Sequence, residues 1–167
     1  MKLCVSDLLE KEMFEKELHI EAVEKSLNDG SENIKLLEPI KLDGTLTKVR
    51  DIIELNGAIH TVLELTCSRC LEKFKYTVNI PVKERFTNVE KSNKDDGIIF
   101  INGDTIDITE VLENNIILML PIKRLCKEDC RGLCQYCGTN LNYSTCNCKN
   151  DDIDPRLAKL KDMFSTD

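Results

Sequence analysis

Apolar and polar residues alternate through the middle of the chain, with the period expected of half-buried β-strands. The clearest alternation covers residues 40–49 around Gly44. Further runs, rich in β-branched and aromatic residues, follow at 51–55, 57–65 and 73–86. The pattern predicts an antiparallel meander of three or four strands.

Two connections within this meander are predicted from local sequence. Asn56-Gly57 stands between two apolar runs, a pair typical of a β-hairpin turn. Residues 67–70 lie between the last two runs, so we expect them in a turn at an edge or end of the sheet. A polar loop is expected at Asn88–Gly97, followed by a short strand at Ile98–Ile101.

A helix is predicted to begin after Asp107. Asp107 with Glu110 three residues later resembles a capping box, and Pro121 ends the helical pattern. Apolar residues recur between them at helical spacing. Asn115 lies on the same face, which leaves two interpretations open: a solvated turn, or a hydrogen bond to the sheet or to a partner.

A second helix is predicted at the C-terminal end of the given sequence. Asp154-Pro155 is a favourable helix start, and Leu157, Leu160 and Phe164 form a narrow apolar stripe. The fold class expected is therefore α+β: an antiparallel meander packed with a few helices, a cysteine-rich segment and a C-terminal helix. The expected organisation is an α+β domain at 1–121, a zinc-binding segment at 122–150 and a helical tail at 151–167.

Cysteine supplies the strongest chemical signal. Eight of the nine cysteines form four close pairs: Cys67/Cys70, Cys126/Cys130, Cys134/Cys137 and Cys146/Cys148. Four thiolates close a tetrahedral Zn²⁺ site and leave no open position for catalysis, so one or two structural zinc ions are predicted. Cys4 stands alone and is interpreted as a small apolar residue, with an exposed thiol as the alternative.

A disulfide framework is the competing interpretation of so many cysteines. Residues 1–10 lack the apolar run of a signal peptide, and no window approaches a membrane span. We therefore expect a cytoplasmic protein without a membrane partner, in which thiols stay reduced and paired cysteines indicate metal.

The four pairs can combine into two sites in three ways. Joining Cys126/Cys130 with Cys134/Cys137 requires a reversal within three residues, whereas Cys146/Cys148 reaches Cys134/Cys137 across a short loop. The favoured arrangement is therefore a long-range site, which joins the meander to the segment after the helix, and a local one. Its predicted ligands are Cys67, Cys70, Cys126 and Cys130 in site one, and Cys134, Cys137, Cys146 and Cys148 in site two.

Charge is unevenly distributed in this chain of net charge −7. Residues 1–60 hold eight Lys/Arg against thirteen Asp/Glu, but cations exceed acids around the first two cysteine pairs. Two interpretations stay open: the cations neutralise the thiolate sites, or they form a face for phosphate. The candidate RNA or partner contacts are Arg69, Lys73, Lys75, Lys123, Arg124, Lys127 and Arg131.

Several motifs resemble those of the YceD-type large ribosomal RNA subunit accumulation proteins of bacteria and plastids. They are Cys67-Ser-Arg-Cys-Leu-Glu-x-Phe74, Cys126-x3-Cys-Arg-Gly-Leu-Cys-x2-Cys-Gly138 with Cys146-x-Cys148 after it, and Asp154-Pro-Arg-Leu157. The resemblance implies a factor that supports synthesis, processing or stability of the large-subunit rRNA, with rRNA or large-subunit assembly proteins as partners. It also adds Arg156 to the candidate contacts.

No arrangement typical of catalysis or of a small-molecule site is found in the sequence, so we expect a non-enzymatic protein. His60 is interpreted as a strand residue and His19 as a surface residue. A different class of function is also considered, a zinc- or redox-responsive switch, because clustered thiolates can be oxidised with loss of metal.

Overall fold

A long central strand organises the fold. The computed structural model describes residues 2–6, 13–89 and 97–148. Its elements are β1 (Lys2–Cys4), β2 (Met13–Ala22), β3 (Ser26–Asn28), β4 (Asn33–Leu36), β5 (Ile40–Val49), β6 (Ile52–Thr66), β7 (Lys73–Thr87), β8 (Ile98–Phe100), β9 (Thr105–Asp107) and α1 (Ile108–Met119).

The sheet is built outward from β6. One edge of β6 pairs with β7 along nearly its full length, and the other edge pairs first with β5 and then with β4. β2 flanks β5, β3 flanks β4, and β8 adds a short parallel pairing at the end of β7. β1 and β9 form a separate two-stranded sheet.

The core lies on one face of this sheet. Alternate residues of β6, namely Ile53, Leu55, Ile59, Leu63 and Leu65, are almost fully buried, as a period-two pattern requires. The helix α1 covers the core with Ile108, Val111, Leu112 and Ile116. The opposite face of β7 is exposed at every second residue from Lys73 to Lys83, so its cations face solvent.

The start and end of α1 confirm the prediction from sequence. The Asp107 side chain accepts a hydrogen bond from the Thr109 N–H (3.2 Å), and the helix ends at Met119, two residues before Pro121. Asn115 donates to Glu84 of β7 (2.7 Å) and to the Val111 carbonyl (3.0 Å). Of the two interpretations of Asn115, the hydrogen bond to the sheet is the one observed.

The hairpin predicted at Asn56-Gly57 is wrong. Both residues lie inside β6, and the turn between β5 and β6 is Arg50-Asp51, flanked by the Val49–Ile52 pair. A two-residue hairpin needs positive φ, and Arg50 provides it with φ 57°. Gly57 serves a different purpose, because it faces Gly44 where the two backbones come too close for a side chain.

The predicted fold class can also be compared with the structure. The structure is mostly antiparallel sheet, as expected, but the described residues hold one helix rather than a few. The strand β2 was not foreseen, because the exposed Lys16 interrupts its inward alternation. Most of the predicted polar loop and the whole of the predicted tail at 151–167 lie outside the described residues. The division at residue 121 stays a prediction.

The surface assignments of single residues are also settled. His19 and His60 are both exposed strand residues. Cys4 is exposed, with its Sγ 2.8 Å from the Ser6 hydroxyl, so of its two interpretations the exposed thiol is the one observed. Among the helical residues described, no stretch has the length and hydropathy to cross a bilayer.

Candidate metal centres

The first group of four cysteines joins the sheet to the segment after α1. Cys67 and Cys70 lie in the connection between β6 and β7, and Cys126 and Cys130 approach them from the segment that follows the helix. Three of these four residues are buried. Phe74, Leu125 and Leu133 pack against these buried cysteines, and Phe74 also packs against the main core.

Distances between the sulfur atoms fit a tetrahedral metal site. Cys67 Sγ lies 3.8 Å from Cys130 Sγ, and Cys70 Sγ lies 3.6 Å from Cys126 Sγ. Four sulfurs at the Zn–S distance of about 2.3 Å are separated by roughly 3.8 Å, whereas a disulfide brings two sulfurs to about 2.05 Å. The spacing is thus that of metal ligands.

The second group lies in the loop that follows. The sulfurs of Cys134, Cys137, Cys146 and Cys148 all lie within 4.8 Å of one another. The loop is closed at its base by the Leu133–Asn140 bridge and by a hydrogen bond from the Cys134 N–H to the Thr139 carbonyl (2.8 Å). The two groups have the membership favoured by the sequence; that their members ligate zinc stays a prediction.

The two Cys-x2-Cys segments share one local conformation. The N–H of Leu71 bonds to the Cys67 carbonyl (3.0 Å), and the N–H of Gly138 bonds to the Cys134 carbonyl (2.9 Å). The residue after the second cysteine has positive φ in both, 59° at Leu71 and 71° at Gly138. The repeated turn directs backbone N–H groups at sulfur, as a metal-binding knuckle requires.

Hydrogen bonds link the two groups to each other. Asn142 donates to Cys130 Sγ (3.3 Å), and the Tyr143 hydroxyl donates to Glu72 (3.0 Å). The N–H of Leu133 bonds to the Arg69 carbonyl (3.2 Å). Cysteine spacing does not reveal this contact of Asn142, the third residue of the Asn140-Leu141-Asn142 run that follows the knuckle.

Gly132 is required at the contact between the groups. Its φ is 74°, and a Cβ at this position would lie 3.0 Å from the Arg69 carbonyl oxygen. Only glycine meets both conditions without strain, because it has no Cβ and adopts positive φ freely. Gly132 therefore allows the second loop to pass directly over the first knuckle.

The thiols of the first group have pKa values shifted in opposite directions. Burial raises the pKa of Cys67, but backbone hydrogen bonds from Cys70, Cys126 and Arg69 lower it to about 6. Burial and the hydrogen bond with Cys70 raise the pKa of Cys126 to about 12.

The second group also contains one thiol with a lowered pKa and one with a raised pKa. The Thr139 hydroxyl and N–H lower the pKa of Cys137 to about 6, whereas the hydrogen bond with Cys137, followed by burial, raises the pKa of Cys148 to about 12. Four thiolates this close together repel one another, so all four can ionise only with a cation between them. One divalent ion in each group, of a kind that prefers four sulfur ligands, would compensate the charge of the thiolates.

Two of the predicted contact cations, Arg69 and Arg124, bond to groups in other segments of the fold. Arg69 donates from Nη1 to the Cys130 carbonyl (2.8 Å), which ties the first knuckle to the fourth cysteine of the group. Arg124 is mostly buried, and its guanidinium bonds to Asp29 (2.6 Å) and to Glu32 in the β3–β4 turn. Arg124 therefore anchors the cysteine-rich segment to the sheet.

The other predicted contact cations that the structure describes lie at the surface. Lys73 and Lys127 line a shallow cleft beside the first group, together with Phe74, Asn142 and the exposed Tyr143. Lys75 follows Lys73 on the solvent face of β7, and Lys123 and Arg131 are exposed. Lys73 also pairs with Glu64 (2.9 Å); the lysine side chain is 70% exposed and the glutamate side chain 26%. Arg156 lies outside the described residues.

The Asp29–Arg124 pair predicts a pH-dependent contribution to stability. Hydrogen bonds from Arg124, and then from Ser31, lower the pKa of Asp29 from 3.8 to about 2. Because the folded-state pKa is the lower one, this stabilisation is present above about pH 4 and is lost as the pH falls toward 2. Asp29→Asn should lower the melting temperature at pH 6, and its difference from the wild type should narrow below pH 4.

Thermal unfolding of both proteins between pH 6 and 3, with zinc content followed in parallel, checks this prediction. Glu64→Gln is the matched control, because it removes a carboxylate from a pair whose lysine is 70% exposed, so a smaller effect is expected. A difference between wild type and Asp29→Asn that does not change with pH would show that the Asp29 charge is not what holds Arg124.

The sequence matches the family described as large ribosomal RNA subunit accumulation protein YceD over residues 55–164. That stretch contains all eight clustered cysteines. The protein YlbN of Bacillus subtilis is 27% identical over 159 residues, which cover 94% of this chain and 91% of the relative. These matches confirm the resemblance seen in the cysteine motifs.

Two further relatives are longer than this chain. A chloroplastic large ribosomal RNA subunit accumulation protein, YCED homolog 1 of Zea mays, is 27% identical over 158 residues, covering 75% of this chain and 54% of the relative. An uncharacterized protein of Mycobacterium leprae is 29% identical over 133 residues, covering 77% of this chain and 61% of the relative. The chain thus spans about three-fifths of that mycobacterial relative. No solved structure matches the chain.

Proposed function

Since the chain belongs to the family of YceD-type large ribosomal RNA subunit accumulation proteins, we propose that it is a non-enzymatic, cytoplasmic factor that contacts large-subunit rRNA or its precursor. The contact would support synthesis, processing or stability of that RNA. The family carries the link to the ribosomal subunit, and the surface beside the first cysteine group carries the proposal of direct RNA contact.

Both cysteine groups are proposed to hold zinc as a structural ion. Sulfur-only donor sets of four favour Zn²⁺ among the common cellular cations, and the observed spacing fits its bond length. When bound, the ion compensates the thiolate charge and fixes the two loops. Metal analysis of gently purified protein should give two zinc ions per chain.

The proposed RNA-binding surface consists of Lys73, Lys75, Lys127, Arg131 and Tyr143. The observation that supports it is the cleft beside the first group, which Lys73 and Lys127 line together with the exposed Tyr143 and with Glu72. Lysines bind phosphate, and an aromatic ring offers a stacking surface for an unpaired base. The overall charge of −7 opposes RNA binding, so a local basic surface is required.

Replacing Lys73 and Lys127 together with alanine should weaken binding to a large-subunit rRNA fragment by about tenfold at 0.1 M salt. The plot of log affinity against log salt should become shallower by about 2, because two phosphate contacts are lost. Fluorescence anisotropy over a salt series measures both quantities. The matched control is Lys16→Ala with Lys41→Ala, which removes the same charge from β2 and β5, where both lysines are exposed.

An equal loss in the control pair would show that bulk charge, not this surface, governs retention. In cells, depletion of the protein should reduce large-subunit rRNA relative to small-subunit rRNA. The wild type and the control pair should restore the ratio, whereas the Lys73/Lys127 variant should not. Crosslinking that recovers protein but no rRNA would overturn direct RNA contact while leaving the family role in place.

A second candidate function is a thiol-redox response of the second group. It is favoured by exposure, since Cys137 and Cys148 are exposed whereas Cys67, Cys70 and Cys130 are buried. Hydrogen peroxide would take two electrons from two thiolates, which form a disulfide, and would be reduced to water with two protons from solvent. Mild peroxide should then release one zinc per chain before the other, reversibly on thiol addition; simultaneous release, or none, would contradict this function.

A further inference from the structure

One edge of β7 is open along most of its length. The other edge pairs with β6 from Lys73 to Phe86, whereas β8 pairs with the open edge at 85–87. In the part of the chain that the structure describes, no strand pairs with this edge between Lys75 and Lys83, and no backbone hydrogen bond from a loop reaches it. We call this stretch the β7 edge. An open edge of this length offers main-chain donors and acceptors to another extended segment.

The register of β6 and β7 shows which backbone groups face outward. Opposite residues in an antiparallel pair either exchange hydrogen bonds or both point away from each other, in alternation. The Val62 carbonyl accepts from the Leu37 N–H on the far side of β6 (2.8 Å), so its opposite residue, Thr77, points away from β6. Because the register is unbroken, Lys75 and Asn79 also present their N–H and C=O groups to the β7 edge.

Two other residues of the same alternation agree with this assignment. The Thr87 carbonyl accepts from the Ile101 N–H (2.9 Å) and therefore also points away from β6. Pro81 has no N–H, and proline within a sheet is tolerated where its nitrogen faces an open edge. The outward groups of β7 thus form one row, at every second residue from 75 to 79.

An apolar cleft runs along this row. It measures about 290 Å³ and is lined by consecutive residues of β7, Tyr76 to Ile80, and by Ile116, Met119 and Leu120 of α1 and its end. Since side chains alternate in direction along a strand, lining by consecutive residues indicates a groove along the strand edge itself. Met119 is 57% exposed in the wall of this groove, where the side chains of an added strand would cover it.

The solvent face of the β7 edge carries uncompensated positive charge. Lys75 and Lys83 are exposed, and neither forms an ion pair with another described residue. Glu64 stands opposite Lys75 but bonds to Lys73 (2.9 Å). Every second side chain of an added strand would lie beside these lysines, where carboxylates are favourable.

We propose that the β7 edge binds an extended segment of a partner protein by strand addition. The segment alternates acidic residues, which lie beside Lys75 and Lys83, with aliphatic residues, which enter the cleft beside α1. RNA is a poorer occupant, because its phosphates would meet the lysines but leave the apolar cleft unfilled. A second copy is disfavoured, since antiparallel pairing centred on Asn79 would set Lys75 opposite Lys83. Such binding does not depend on the proposed RNA contact beside the first cysteine group.

Fluorescence anisotropy of zinc-loaded, full-length protein with a labelled peptide, Gly-Glu-Val-Glu-Val-Glu-Val-Glu-Gly, tests the proposal. An added strand bonds through only one of its own edges. N-methylation of all valines or of all glutamates should therefore differ in effect: one should weaken binding at least tenfold and the other should not, whichever way the peptide runs. A peptide with lysine in place of every glutamate should also bind at least tenfold more weakly.

Thr77→Pro should weaken the unmodified peptide at least tenfold, because it removes an outward N–H and breaks no bond to β6. Thr77→Ala is the matched control, since it changes the same side chain but keeps the N–H, and its binding should equal that of the wild type. Melting temperatures of both variants show whether they fold. If Thr77→Pro does not fold, the two methylated peptides still decide the question on the wild type.

Hydrogen exchange locates the bound peptide. The amides of Lys75, Thr77 and Asn79 should exchange rapidly in the protein alone and become protected when the peptide is added. Protection without peptide would assign the edge to another part of this chain, and dimerisation that Thr77→Pro abolishes would assign it to a second copy. Either result would overturn the proposal. So would equal binding of the two methylated peptides, no binding, or protection of these amides by an rRNA fragment but not by the peptide.

Discussion

Replacing Cys67 with serine is expected to remove one zinc ion and to lower the free energy of unfolding of the sheet by about 4 kcal/mol. Cys67 is fully buried, and its sulfur faces Cys130, which is 63 residues further along the chain. A crosslink that closes a loop of roughly 60 residues is worth about 4 kcal/mol in the chain-entropy estimate. That value is a large part of the roughly 5–15 kcal/mol that stabilises a typical domain.

The same substitution in the second group should behave differently. Cys137 is exposed, and its partners all lie within the loop from Cys134 to Cys148. Cys137→Ser should therefore also remove one zinc ion but change sheet stability by less than about 1 kcal/mol, because that loop adds no residue to the main core. The two groups would thus differ in what they stabilise. The first group would stabilise the sheet, and the second would stabilise only its own loop.

Urea denaturation followed by far-ultraviolet circular dichroism, with metal analysis of each sample, measures both effects. Cys4→Ser provides the control, since Cys4 is exposed and belongs to neither group; it should keep two zinc ions and wild-type stability. If Cys67→Ser retained two zinc ions, or if both ligand variants unfolded at the wild-type urea concentration, the metal would not be holding the sheet.

The grouping of the cysteines could be expected from sequence, because it depends on spacing along the chain. Three residues between Cys130 and Cys134 leave little room for a reversal, whereas the stretch from Cys137 to Cys146 closes easily. Spacing along the chain does not reveal which cations are free to contact a partner. Arg124 looks like Lys123 in the sequence, but only the fold brings Asp29 and Glu32, 95 and 92 residues away, to its guanidinium.

Helix α1 was predictable because its signals are local. Asp107, Glu110 and Pro121 act within a turn or two of the positions that they define. The positive φ of Leu71, in contrast, could not be predicted from local sequence. Nothing in its neighbours marks positive φ, since the signal usually comes from glycine, as at Gly138. The positive φ of Leu71 therefore appears only in the structure.

Asn56-Gly57 failed as a hairpin signal because glycine has two distinct uses. It permits positive φ in a turn, and it permits two backbones to approach where no side chain fits. Gly44 and Gly57 face each other across β5 and β6, and this pairing is visible only once the register is known. The turn itself falls at Arg50-Asp51, which carries no strong turn signal.

Gly44→Ala is accordingly expected to cost about 3 kcal/mol or more of folding free energy. A Cβ at Gly44 would lie 2.4 Å from the Asn56 carbonyl oxygen and 2.7 Å from the Gly57 Cα. Both atoms belong to backbone paired in the sheet, so neither can rotate away as a side chain could, and overpacking of this kind costs about 1–3 kcal/mol or more. Urea denaturation of the zinc-loaded protein measures the loss.

Gly30→Ala is the matched control for Gly44→Ala. Gly30 has φ 89°, and a Cβ there meets nothing within 4 Å, so its cost is limited to about 1–2 kcal/mol for the positive φ. Combining Gly44→Ala with Gly57→Ala should cost less than the sum of the single changes if one local separation of β5 and β6 accommodates both. If the Gly44→Ala protein were more stable than the Gly30→Ala protein, the strands β5 and β6 could separate at little cost. The close approach of the two backbones would then not explain why glycine stands in the middle of β6.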